Sequence, residues 1–294
     1  MGLRRRRAVR PPIPADHDVT VFDYHRPVSL VQASELLTRE SSVALAGGTD
    51  LIVAMRHRKV QPALVVDLKS VTEIGDDVAD EGDSLVIGAR AVMRRLIDDV
   101  TVNRRFPALA KAASAVGSVQ IRNRATLAGN LCNASPAADT APALIAYSAS
   151  VTITGARGSR VVPVEDFFTG PGVTVLDRDE VVTSVRLPIT NSPIGSAFAR
   201  VTRRRGVDLA SVNLACVIDT AGRVRFAFGA VGPTPLLAEA TIDDLGEEGG
   251  WSRLLAVTSP ISDVRAGADY RMAMLRVHAG RALRAASEEL REAS

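Results

Sequence analysis

Apolar positions keep different periods in successive stretches of the chain, and each change marks an element. "VSLVQASELL" places Val31, Leu36 and Leu37 at helical spacing, "VALAGGTDL" is a short apolar run breaking into a tight turn, and "PALVVDL" is a continuous apolar run between polar residues. Short apolar runs bounded in this way predict strands, so the order gives a βαβ-like opening over roughly residues 20 to 75. Further on, "SLVIGARA" reads as a strand, "MRRLIDDV" and "FPALAKAASAV" as helices, and "SVTITGARGSRVVPVEDFF" and "VVTSVRLPI" as strands with an antiparallel flavour. The class expected is α+β.

"LPITNSPIG" interrupts this pattern with two prolines and a glycine among small polar residues, which predicts a break between domains. Beyond it, "LACVIDTAGRVRFAFGAVG" predicts two strands joined by a turn at Ala221 and Gly222. Residues 268–289 are helical, with Met272, Leu275, Ala279 and Ala282 on one stripe. The last hundred or so residues are therefore expected to form a small sheet with helices.

Composition narrows the function classes. With 294 residues, 46% of them hydrophobic, the chain buries a sizeable core. Its apolar runs fall well short of the roughly 20 residues that cross a bilayer, so no membrane span is expected. The net charge is only +3, and Lys59, Lys69 and Lys111 are the only lysines, so the basic residues are nearly all arginines balanced by scattered Asp and Glu. That argues against a nucleic-acid groove. Arg4 to Arg7 belong to a leader over residues 1–19 that is expected to be solvated and disordered. Cys132 and Cys216 are far apart and fit no metal, redox or iron–sulfur spacing, which suits a reducing cytoplasm. His17, His25, His57 and His278 show no ligand spacing either.

Two glycine-bearing segments carry the candidate chemistry. In "ALAGGTDLIVAMR", Gly47 and Gly48 stand between a strand and a helical pattern, where consecutive glycines let several backbone amides converge on an anion. The spacing is neither a P-loop nor a Rossmann fingerprint, and an ordinary turn is the bland alternative. A carboxylate beside a phosphate is repelled, so Thr49 or Asp50 is expected to cap the following helix while the amides face the ligand. The second segment, "TLAGNLCNASPAADTAPAL", opens with small residues showing no helical or strand period, and it is expected to be a loop that closely approaches a large polar ligand. Gly129 permits approach, Asn130 and Asn133 offer amides, and Thr126 and Ser135 offer hydroxyls. Asp139 accepts from ribose hydroxyls or caps the helix "DTAPALIAY".

These two motifs resemble the FAD-binding medium subunit of the molybdenum hydroxylases, the family of xanthine dehydrogenase and aerobic carbon monoxide dehydrogenase. "FDYHRPVSLVQASELL", "FARVTRRRGVDLASVNLA" and "ADYRMAMLRVHAGRAL" extend the resemblance from about residue 20 to about residue 290. It implies a vanillyl-alcohol-oxidase-type FAD fold of two subdomains, about residues 20–75 and 76–190, followed by a C-terminal domain of sheet and helical bundle over residues 195–290. It also implies that Ala46, Gly47, Gly48, Thr49 and Asp50 hold the pyrophosphate, and that Thr126, Gly129, Asn130, Asn133 and Asp139 meet pyrophosphate, ribityl and flavin. Val181 and Val182 match a strand lying along the adenine or ring system. Two departures stand out. Ala128-Gly129-Asn130 replaces the common Gly-Gly-Asn, and Arg200 takes a position near the flavin pyrimidine where many relatives have Lys, keeping the charge with a different reach.

The function this implies is electron transfer. FAD on this chain collects electrons from [2Fe–2S] centres on a small partner subunit, after hydroxylation on a large molybdenum-cofactor subunit, and passes them to an external acceptor. No catalytic acid or base is expected on this chain, and the assembly is expected in the cytoplasm. The alternatives are a stand-alone FAD-dependent dehydrogenase or oxidase with its own small substrate, and a scaffold that has lost the flavin.

Overall fold

Parallel pairing opens the chain, as the spacing of its first apolar runs requires. The strands Asp23–His25 and Ser42–Leu45 flank Leu64–Asp67, each running parallel to it in a three-stranded sheet. The structure, a computed structural model, describes residues 21–293, so the leader expected over residues 1–19 lies outside the described residues. The first crossover contains the helix Leu30–Leu37, which starts where the Ser29 hydroxyl accepts from the Gln32 amide and buries Ala33 and Leu37, four residues apart. The central strand reads LVVD and is buried throughout, as a parallel strand between two neighbours should be.

A second sheet is antiparallel throughout, in the order Val78–Asp80, Ser84–Gly88, Val181–Pro188, Ser150–Gly155, Gly158–Pro163. Its middle strand is the last in sequence. The segment between the second and fourth strands of that order therefore folds as a set of short helices against the sheet, among them Met93–Asp98, Val100–Arg105, Pro107–Ala115 and Thr140–Ala146. Pro107 opens its helix at a position where a missing amide hydrogen costs nothing. Together the two sheets and these helices give the α+β class read from the pattern.

The C-terminal part is a four-stranded antiparallel meander, Ile194–Val201, Val212–Asp219, Arg223–Gly229 and Leu236–Thr241, with the long helix Ala268–Ala293 against it. The meander is covered on both faces, and its alternation shows how. Leu214, Cys216, Ile218 and Phe226 pack with Leu275, Ala279 and Ala282 of the long helix. Phe198, Ala215, Val217 and Ala227 belong instead to the core of the preceding part. The helix Thr140–Ala146 lies on this second face and is buried at every position, because its sequence TAPALIA has no polar side to turn outward. Trp251 packs edge-on to Phe226 at 6.0 Å.

One expectation is corrected. The first half of the stretch from Thr126, expected as a loop, contains the helix Leu127–Cys132, which buries Leu127 and Leu131 one turn apart. Six residues are too few to display a period in sequence, and the Thr126 hydroxyl supplies the start signal by accepting from the Gly129 amide at 3.0 Å. Among the described residues, no helix is long and apolar enough to cross a membrane.

Candidate functional site

The first glycine segment leaves the strand Ser42–Leu45 at its carboxyl end, the end at which sheets with parallel strands collect ligands. The Gly48 carbonyl accepts from the Ile52 amide at 3.1 Å and the Asp50 carbonyl from Ala54 at 2.9 Å, so the next helix is started by backbone alone. Among the described residues, nothing accepts from the amides of Gly47, Gly48, Thr49 or Asp50. Gly48 has φ +76°, a left-handed conformation that glycine takes freely. Gly47 is required for a different reason: a Cβ there would drive into the Arg124 carbonyl and lie 3.2 Å from the Ala125 Cα.

That contact joins the two glycine segments, because Arg124 and Ala125 lead directly into Thr126. The second segment is pinned by two backbone bonds, Met93 amide to Ala125 carbonyl at 2.9 Å and Leu127 amide to Ala91 carbonyl at 3.0 Å. The Thr126 hydroxyl is occupied as a helix cap, and the Asn130 Oδ1 accepts from the Thr140 hydroxyl at 2.6 Å, leaving the Asn130 amide group as the donor this helix presents. Asn133 ends the helix with its side chain exposed, and Ala134, at φ +45°, turns the chain. Capping by Asp50 is not realised. Asp50 occupies the position before the helix Leu51–Arg56 with helical backbone angles, and its carboxylate makes no cap bond. The Thr49 hydroxyl lies 3.5 Å from that same carboxylate.

Asp139 likewise stands before its helix without a cap bond, and its carboxylate turns to the C-terminal sheet instead. Its Oδ2 lies 3.2 Å from the Arg200 Nη1, and its Oδ1 accepts from the Asn213 side-chain amide at 3.0 Å. Arg200 and Asn213 are opposed residues on neighbouring strands, so both project from the face that meets the first part of the chain. Arg200 also donates to the Ala115 carbonyl at 2.6 Å and the Asp208 carbonyl at 2.5 Å. Two polar atoms of this cluster are buried and unpartnered, the Arg200 Nε and the Asn213 Oδ1. Burial raises the Asp139 carboxyl from its ordinary 3.8, and against the opposing pull of Arg200 and Asn213 it stands at about 6.

A model described as the FAD binding domain in molybdopterin dehydrogenase matches residues 20–190. The chain belongs to this family. Residues 197–286 match a second model, the CO dehydrogenase flavoprotein C-terminal domain. Among curated relatives of the molybdopterin-dehydrogenase flavoproteins, the carbon monoxide dehydrogenase medium chain of Hydrogenophaga pseudoflava is 34% identical over 288 residues, 90% of this chain and 96% of its own. The xanthine dehydrogenase FAD-binding subunit of Escherichia coli O157:H7 is 36% identical over 220 residues, 72% of this chain and 75% of its own. Among solved structures, carbon monoxide dehydrogenase from Hydrogenophaga pseudoflava superposes with a TM-score of 0.86 at 32% identity, covering 92% of this chain and 98% of that one. Quinoline 2-oxidoreductase from Pseudomonas putida 86 gives a TM-score of 0.82 at 27% identity, with 92% and 98% covered.

Family membership makes the chain an oxidoreductase subunit whose cofactor is FAD. The residues present fit that group. Among the described residues, four loop amides have no acceptor, and a glycine at position 47 keeps the two segments in contact. Buried donor and acceptor atoms without protein partners stand beside Asp139. Val181 and Val182 are only 4% and 5% exposed and belong to the hydrophobic core, on the strand against which the helix Leu127–Cys132 packs.

Sequence reasoning missed Asn213. A single amide in the run "VNLACVID" is a polar residue inside a strand that is otherwise apolar up to its terminal Asp219, and that irregularity is the signal that marks it.

Proposed function

We propose that this chain is the electron-transfer subunit of a heteromeric molybdenum hydroxylase, receiving electrons from iron–sulfur centres on a small partner and delivering them to an external acceptor. The observation that carries this reading is the direct contact between the two glycine segments, with the amides of Gly47 to Asp50 on one side of it finding no acceptor among the described residues. When bound, FAD supplies the ability to accept electrons singly and release them in pairs.

The chain's own residues then divide the work. Backbone amides from Ala46 through Asp50 hold the pyrophosphate, and no carboxylate is asked to face it. Thr126 and Gly129 shape the short helix whose Asn130 amide, with Asn133, meets the ribityl chain and ring. Asp139 keeps lone pairs for a ribose or ribityl hydroxyl while Asn213 and Arg200 orient it, and Arg200 places a fixed positive charge near the flavin. Val181 and Val182 form rigid packing behind the helix. In domain terms, residues 20–190 bind FAD and residues 195–290 close the site from the other side. Relatives described as a medium chain and an FAD-binding subunit support a heteromeric assembly; the partners proposed are a large molybdenum-cofactor subunit and a small [2Fe–2S] subunit, and the compartment proposed is the cytoplasm.

The test is an absorption spectrum with native mass spectrometry on protein purified through a tag from its own cells. Yellow protein travelling with a molybdenum-bearing large chain and an iron–sulfur small chain is expected. Yellow protein found alone, reduced by a small substrate, overturns the subunit reading.

A further inference from the structure

We infer that Lys69 is an additional phosphate-binding residue of the flavin site, placed there by a buried carboxylate at the end of the neighbouring strand; this rests on the FAD reading of the first glycine loop. Lys69 lies in the turn Leu68–Ser70, directly after the strand Leu64–Asp67, at the same sheet end from which Ala46, Gly47 and Gly48 depart. Its ammonium is 2.7 Å from the Asp67 Oδ1 and 3.5 Å from the Ala46 carbonyl, the first residue of the loop.

Several contacts hold it there. Asp67 is completely buried, and besides the ammonium it accepts from the Lys69 amide at 3.0 Å and from the Tyr24 hydroxyl. Burial alone would raise this carboxyl, yet donation from Lys69 and Tyr24 leaves it below its ordinary value, so it stays ionised. The Arg90 guanidinium holds the Lys69 carbonyl at 2.5 Å, and the more exposed Arg26 lies 3.7 Å from the far oxygen of Asp67. Lysine normally loses much rotamer freedom when it binds a ligand, and here that freedom is already restricted.

Donor counting gives the ammonium its task. It has three hydrogens, of which Asp67 and Ala46 take two, and its side chain is 38% exposed, so among the described residues one donor is left unpaired beside the loop whose amides have no acceptor. A pyrophosphate diester brings two negative charges next to the exposed Asp50 carboxylate, and amides alone supply only partial positive charge. A full positive charge at that edge makes up the difference.

The experiment strips flavin from the purified protein and measures rebinding of FAD and of riboflavin, which lacks phosphate, to wild type, Lys69→Met and Lys69→Arg at low and high salt. Expected is a loss of FAD affinity of about 10- to 100-fold in Lys69→Met, the range for one charge-assisted hydrogen bond, with a shallower salt dependence. Riboflavin affinity is expected to be unchanged, and Lys69→Arg is expected to restore most of the FAD affinity. Equal FAD affinity in wild type and Lys69→Met overturns the inference, as does an equal loss for both flavins, which would mark Lys69 as a structural strut. Failure of wild type to bind FAD would instead strike at the flavin reading itself.

Discussion

Replacing Arg200 with alanine is expected to destabilise the protein far more at pH 8 than at pH 5. In the folded chain Asp139 is 7% exposed, with Arg200 at 3.2 Å and the Asn213 amide at 3.0 Å. Its carboxyl titrates near pH 6, about two pH units above the ordinary 3.8, which is a preference of about 3 kcal/mol for the protonated form in the folded state. This group therefore contributes most to stability below about pH 4, loses that contribution as pH rises toward 6, and contributes a constant amount above. Without Arg200 the folded carboxyl rises further and the declining stretch extends to higher pH. A buried charge stripped of its partner costs about 3–5 kcal/mol, so a penalty of that order is expected at pH 8. At pH 5 the carboxyl is protonated with or without Arg200, and only the loss of donors to the Ala115 and Asp208 carbonyls remains, about 1–3 kcal/mol. Denaturant unfolding of Arg200→Ala at the two pH values measures this directly, and adding Asp139→Asn should recover most of the pH 8 loss. A penalty of the same size at both pH values, or no recovery by Asp139→Asn, would refute the claim that the ion pair dominates this cluster.

The same Arg200→Ala protein is expected to retain FAD but to show a lowered flavin reduction potential in a redox titration; an unchanged potential would remove Arg200 from the flavin's surroundings. Gly129→Val puts a Cβ 2.7 Å from the Thr126 hydroxyl, so the short helix loses its cap. The variant should fold with a loss of about 1 kcal/mol and purify with little FAD, and full flavin occupancy would count against the site. Tyr147→Phe removes a buried hydroxyl that accepts from the Ala108 amide at 3.3 Å and donates to the Ser196 hydroxyl at 2.7 Å, itself beside Glu289 on the long helix. A loss of about 1–2 kcal/mol in thermal or denaturant unfolding is expected, and a stability within error of wild type would show that the link is idle.

Much of the framework was legible because it follows from period alone. The parallel opening, the strands around residues 150–163 and 181–188, and the C-terminal hairpin with its helix each rest on apolar residues whose spacing has one structural meaning. The helix Leu127–Cys132 was illegible because it has fewer than two turns and is built of small residues. The capping alternatives at Asp50 and Asp139 are not realised for a related reason: composition identifies a residue able to cap, whereas backbone angles decide whether it does. For Asp139 the competing partners, Arg200 and Asn213, lie more than sixty residues away on strands whose pairing places them side by side. Lys69 stayed hidden as one surface-type residue in a turn, and only the strand geometry brings it to Ala46.

The meander covered on both faces has a consequence for modularity. A cut near residue 190 looks clean in sequence, since a proline-bearing linker separates two recognisable family segments. In packing the cut is not clean, because Thr140–Ala146 has no outward side and shares its core with Phe198, Ala215 and Ala227 from beyond the cut. A chain ending there would present that helix and its apolar surroundings to water. Grafting the flavin-binding half onto another scaffold would therefore mean carrying the sheet along, or rebuilding its inner face residue by residue. A substitution along this seam acts on both halves at once.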